Sequence, residues 1–210
     1  MIFTLVLSAV SILPADALSM ADSLFNRKQY ALAVKEYDLL KDNKALKRDE
    51  VLFRLAESHK ALSEHAKARE YYLDVVKANP SSRYRDKSLL NAALLAAGDE
   101  SVPELRRLLG EEVENPVRAA AAYHLGSKTG DPEFFEKSIA FDPHGKYSRY
   151  AAFSKAQILL KSKDSKVRSK AVSDLLTIAF SKQNALSEDA FYLVAIESYN
   201  EENYQMASNM

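Results

Sequence analysis

The chain repeats itself at a fixed spacing. Moved back by 35 residues, Ala68 falls on Ala33, Tyr72 on Tyr37, Ala56 on Ala21, His65 on Tyr30 and His59 on Leu24. Moved forward by 139, Leu52 falls on Phe191, Ala56 on Ala195, His59 on Ser198, His65 on Tyr204 and Ala68 on Ala207. The second shift is close to four units of about 35 residues, and each shift serves every position at once, so small residues stay on small and bulky on bulky. A period of this length means that one supersecondary unit is stacked on copies of itself.

The unit is legible in residues 48–80. Leu52, Leu55, Ala56 and His59 recur at i, i+3, i+4 and i+7, which is one stripe of a helix. Ala68, Tyr72, Val75 and Val76 make a second stripe. Pro80 then ends the second helix, because it lacks an N–H and clashes with the preceding turn. Two antiparallel helices, closely packed at Ala56, are the expected product, with His59 and His65 at packing positions.

The joints agree with this reading. Asn115–Pro116 and Asp131–Pro132 each place a capping residue before a helix-starting proline, and Ser101 with Glu104 has capping-box spacing. Gly98, Gly110 and Gly130 fall where helices should stop. Expected helices are 18–27, 30–41, 48–62, 65–78, 84–97, 102–109, 116–128, 132–141, 147–161, 165–181, 187–199 and 201–208. Only 5 glycines and 6 prolines in 210 residues suit helices better than a turn-rich β fold.

Residues Leu52, Leu55, Ala56, His59, His65, Ala68, Tyr72 and Pro80 together resemble the tetratricopeptide repeat (TPR) family, and the resemblance extends over six units after residue 17. Unit three is looser (Leu89, Ala92, Ala93, then Leu105 and Leu108), unit four has the family's Leu125–Gly126 pair, and unit five rests on Ala152, Ala156 and Leu159. The resemblance implies an all-α, right-handed superhelical solenoid of about six antiparallel helix hairpins. It implies a domain over 18–210 that stops inside its last repeat, as a piece of a longer array would. It further implies a non-catalytic scaffold that holds a protein or peptide partner on its concave face, with a cytoplasmic or membrane-associated adaptor, or the accessory region of a larger enzyme, as the alternatives. The envelope members of the family, of the BamD type or associated with Tol-Pal, are the subgroup it looks most like. The chaperone-tail clamp of the family is not expected, because Phe53 and Glu57 stand at two of its positions.

One residue after the first bulky position of each unit, the register places Leu18, Phe53, Leu90, Tyr123, Phe153 and Tyr192. These are expected to line the concave face, with Glu57, Tyr150 and Gln157 beside them, or else to pack as rings between adjacent first helices. The partner-binding candidates are thus Phe53, Glu57, Tyr123, Tyr150, Phe153, Gln157 and Tyr192.

Other chemistries are expected to be absent. No cysteine occurs, none of the four histidines forms a helical zinc pair, and no nucleophile or phosphate-loop motif appears. No catalytic, cofactor or metal site is therefore expected. With 29 basic and 29 acidic residues the chain offers no field for nucleic acid, and KSKDSKVRSK (161–170), Glu111–Glu112 and Glu201–Glu202 read as solvated surface. The apolar run IFTLVLSAVSIL (2–13), followed by Ala15 and Ala17, reads as a signal peptide over 1–17 and a periplasmic or secreted location. The run has no Lys or Arg before it, so the alternative is an uncleaved N-terminal helix of a cytoplasmic or membrane-associated protein. Twelve apolar residues fall short of the roughly twenty that span a bilayer.

Overall fold

The computed structural model describes residues 13–110, 112–181, 185–202 and 204–209, the side chains of Asp99, Ala185, Tyr204 and Gln205 excepted. These residues are all-α. Twelve α-helices occur among them: α1 (Pro14–Asn26), α2 (Tyr30–Leu40), α3 (Arg48–Ala61), α4 (His65–Ala78), α5 (Arg85–Leu94), α6 (Ser101–Arg107), α7 (Asn115–Thr129), α8 (Pro132–Phe141), α9 (Lys146–Leu159), α10 (Ser165–Ala179), α11 (Ala185–Asn200) and α12 (Tyr204–Ser208). The expected helices are present, with α4 and α8 at the expected limits. The apolar run expected to be a signal h-region lies outside the described residues save for Leu13, as does Glu111. Ala15 and Ala17 sit in the first turn of α1.

The chain divides into two compact units, Met1–Ala97 and Gly98–Met210. Helix α5 stops at Leu94, three residues early, Gly98 takes a left-handed φ of 53°, and a 3₁₀ turn (Gly98–Glu100) leads into the seven-residue α6.

In the first unit, successive helices pack pairwise, α1 on α2, α2 on α3, α3 on α4 and α4 on α5. The residues that carry the repeat are its core: Ala21, Ala33, Tyr37, Ala56, Ala68 and Tyr72 are all fully buried. Each buried tyrosine needs an acceptor for its hydroxyl. Tyr37 donates to Asp22 and Tyr72 to Glu57, and the two pairs are themselves 35 residues apart. Burial, and then the carboxylate bonded to it, raises each phenol well above the usual tyrosine range.

The turns repeat as well. Among the described residues, Lys28, Ser63 and Glu202 are the non-glycine residues with positive φ, at 61°, 60° and 61°, and they are spaced by the same 35 and 139 residues. Lys28 N–H bonds the Phe25 carbonyl at 2.8 Å and Gln29 N–H the Leu24 carbonyl at 2.9 Å; Ser63 and Glu64 repeat this with Lys60 (3.0 Å) and His59 (2.9 Å). This is a Schellman end, normally built on glycine. His59 is buried and joins its Nδ1 to Glu64 Oε2 at 2.6 Å across the turn. His65, expected at a packing position, is exposed, because the helix it opens begins at the rim of the hairpin. Asn79 is extended ahead of Pro80, so α4 ends where the sequence requires.

In the second unit the same pairwise order runs from α6 to α12, and α7, α9 and α11, the first helices of their hairpins, are neighbours in turn. Asp131 caps α8 through Glu133 N–H (2.9 Å), as expected, and Asp164 caps α10 through Lys166 N–H (2.8 Å). Two expected caps do not form. Asn115 is already helical, behind an extended Glu114. Ser101 continues from the 3₁₀ turn, so its hydroxyl is fully buried and has no hydrogen-bond partner. Helix α7 is buried at Ala119, Ala120, Ala121 and Ala122, on almost every side, and approaches α8 where Gly126 meets Phe135. A Cβ at Gly126 would lie 2.9 Å from that ring.

Candidate functional site

The seven candidate residues lie in four environments. Phe53 is half-buried on α3, with its ring stacked on Tyr84 at 4.4 Å and edge-on to Tyr72 at 6.0 Å. Glu57, one turn on, is taken by the Tyr72 hydroxyl. Both therefore serve the packing of α3 against α4 and the start of α5. Phe153 is 8% exposed and shares a core with Leu175 of α10 and Val194 of α11. It is a core residue and does not line an open face. The ring position in the register is thus a stacking position wherever another first helix follows.

Tyr123 is intermediate. Its ring lies 5.8 Å from Phe135, 5.3 Å from Tyr147 and 6.3 Å from Tyr150, so α7, α8 and α9 meet around it. His124 adds a ring 5.6 Å from Tyr147. Burial holds the His124 imidazole below its ordinary value, helped by the Lys128 and Lys146 charges, and so keeps it neutral at pH 7. Tyr150 is the outer edge of this group, 40% exposed, and Gln157, seven residues on along the same face of α9, is exposed. The sequence reading missed Tyr147 and His124. Tyr147 stands three residues before Tyr150 on one helix face, a signal that was available.

Beside Tyr150 lies an open depression of about 690 Å³. His144, Lys146, Arg149 and Leu186 line it. Gly145 caps the start of α9, and the Asp142 carboxylate lies against it.

Tyr192 stands alone among the ring positions: it is 67% exposed. Ile196, one turn on, is 40% exposed. The acids near the end of α11 are not all solvated charge. Arg168, from the basic run of 161–170, binds Glu197 at 3.0 Å and Glu201 at 3.1 Å, and its Nη1 also donates to the Ser162 carbonyl at 3.1 Å. That network ties α10 to α11 and was not foreseen, because the two partners lie about 30 residues apart with no periodic signal between them.

Among the described residues no group of three or more histidines and acids could hold a metal ion, and no helix is long and apolar enough to cross a membrane.

The geometry agrees with comparisons to known proteins. Residues 50–82 match the tetratricopeptide repeat family. A solved structure titled "MamA RS-1 ArsTM double mutant" aligns with a TM-score of 0.61 over 79% of this chain and 93% of that chain, at 14% sequence identity. No curated protein sequence matches. Residues 50–82 are thus similar to a tetratricopeptide repeat, and the chain has a TPR-like, all-α repeat fold.

Proposed function

We propose that this chain is a non-catalytic protein–protein interaction scaffold of the bacterial cell envelope, related in role to the BamD-like and Tol-Pal-associated repeat proteins. Its peptide or protein partner lies along the face of α9 that carries Tyr150 and Gln157. The observation that carries the reading is the tyrosine group itself: Tyr150 is exposed with its ring 6.3 Å from that of Tyr123, which is in turn 5.3 Å from Tyr147. A ring fixed in this way offers contact area at little further loss of freedom. Gln157 adds a donor and an acceptor for a peptide backbone.

A photo-crosslinking residue at position 150 in intact cells tests this. One discrete protein adduct, absent when the same residue replaces the exposed Lys170 of α10, is expected. No adduct at 150, or the same adducts at both positions, would defeat the assignment of this face.

The envelope location rests on the apolar run 2–13 and on Ala15 and Ala17. Cleavage after Ala17 would leave α1 as 18–26 and keep the buried Ala21. One observation favours the competing reading, a cytoplasmic or membrane-associated adaptor: Ala17 packs on the first core together with Leu18. Intact-mass measurement of the protein from its native cell decides between them. A mature chain beginning at Leu18 supports export, and a chain retaining residues 2–17 supports the adaptor.

A further inference from the structure

The open depression beside Tyr150 lies inside the second unit. His144 lines it from the α8–α9 joint, Lys146, Arg149 and Tyr150 from α9, and Leu186 from α11, so it stays open with the next first helix already in place.

The lining is cationic and holds no acid among the described residues. Lys146 and Arg149 are exposed and stand one turn apart on α9, on the side that carries Tyr150. Cations around them are answered from within the fold. Lys137 pairs with Glu133 at 2.7 Å, Lys155 with Glu136 at 2.7 Å, and Arg168 with Glu197 at 3.0 Å and Glu201 at 3.1 Å. Among the described residues no carboxylate pairs with Lys146 or Arg149; Lys146 lies over the Tyr147 ring at 5.7 Å. The Asp142 carboxylate lies against Gly145, outside the lining.

We propose, resting on the α9 face assigned above, that this depression takes side-chain carboxylates, so that the segment of the partner protein beside Tyr150 is acidic. Charge complementarity selects this occupant. Arg149 offers a planar fork that holds one carboxylate through two hydrogen bonds, Lys146 a point charge for a second, and His144 a further ring donor. A nucleic acid would need cations that follow several phosphates along a strand. Here the basic side chains converge on one hollow, Glu188 and Asp189 stand exposed just after Leu186, and the whole chain is balanced at 29 and 29. A membrane would need a broad basic face around an inserting apolar one, whereas this site is concave.

A random peptide library is selected on the full chain, and the strongest clone is titrated by anisotropy as a fluorescent peptide. That clone is expected to carry at least two acidic residues and to lose at least tenfold in affinity on the K146E/R149E protein. Exchange of its acids for lysines should abolish binding to the parent protein and restore binding to K146E/R149E. Both positions are exposed, and a melting curve matching the parent verifies the fold of the variant. No enriched clone, a clone without acids, or an affinity that K146E/R149E retains overturns the proposal. Tighter, Arg149-dependent binding of single-stranded DNA or of vesicles containing phosphatidylserine also overturns it, as does self-association of the chain that K146E/R149E abolishes. Y150A distinguishes this failure from that of the α9 face. A clone weakened by Y150A and indifferent to K146E/R149E sinks the acidic segment alone, whereas one weakened by K146E/R149E and indifferent to Y150A keeps the acidic segment and sinks the tyrosine face.

Discussion

The second and the last hairpins are built from one pattern and end in different states. In α3–α4 the ring at position 53, the small residue at 56 and the acid at 50 are each engaged by the segment that leads into and forms α5. In α11–α12 the matching Tyr192 and Asp189 are exposed. The difference shows that the ring ladder read from the sequence serves first to stack one hairpin on the next. A ring at this position is covered where a following helix packs on it. Phe153 supports this from within the second unit: it occupies the same position, has α11 after it, and is 8% exposed.

Truncation should separate the two hairpins most sharply. Tyr72→Ala removes a fully buried ring and leaves Glu57 without its donor, and should cost about 3–5 kcal/mol. Phe53→Ala should cost about 2 kcal/mol, in keeping with its partial burial. Tyr192→Ala should stay within about 0.5 kcal/mol of the parent. Urea unfolding at equal temperature measures all three. A loss at Tyr192 equal to that at Phe53 would erase the distinction.

The small position of each first helix sharpens the comparison. Gly126→Ala forces a Cβ into the Phe135 ring and should destabilise by about 1–3 kcal/mol. Ala56→Leu should behave similarly in its closed surroundings, whereas Ala195→Leu should be nearly neutral in thermal melts.

Turn chemistry gives smaller effects of the opposite sign. Ser63 and Glu202 hold the left-handed conformation that glycine adopts without strain, so Ser63→Gly and Glu202→Gly should each stabilise by up to about 1 kcal/mol. Equal gains at both sites would show that the turn is the same at either end of the repeat, whatever lies beyond it. Ser101→Ala should be neutral or slightly stabilising, since the hydroxyl is buried without a partner; a working capping box would instead lose about 1 kcal/mol.

Much of the fold was legible because it is periodic. The offsets 35 and 139, taken from Ala21, Ala56, Ala68 and Ala207, also locate the left-handed turns at Lys28, Ser63 and Glu202, although no glycine marks them. What was not legible is what depends on neighbours. Phe53, Phe153 and Tyr192 are equivalent in sequence, and only the presence of another helix decides which is covered. Ser101 has the right spacing to Glu104 for a cap, but the 3₁₀ turn before it carries the backbone into the helix early. Arg168 and Glu197 meet through the hairpin fold, and local charge patterning cannot show that. His65 carries the repeat's spacing yet stays exposed, because it starts a helix at the edge of its hairpin.

Tyrosine nitration of the native protein, read peptide by peptide by mass spectrometry, tests the central claim most directly. Serial covering of each hairpin by the next predicts rapid modification at Tyr192 and Tyr150, and protection of Tyr37 and Tyr72 until the chain unfolds. Protection of Tyr192 equal to that of Tyr72 in the isolated protein, or ready modification of Tyr72, would contradict it.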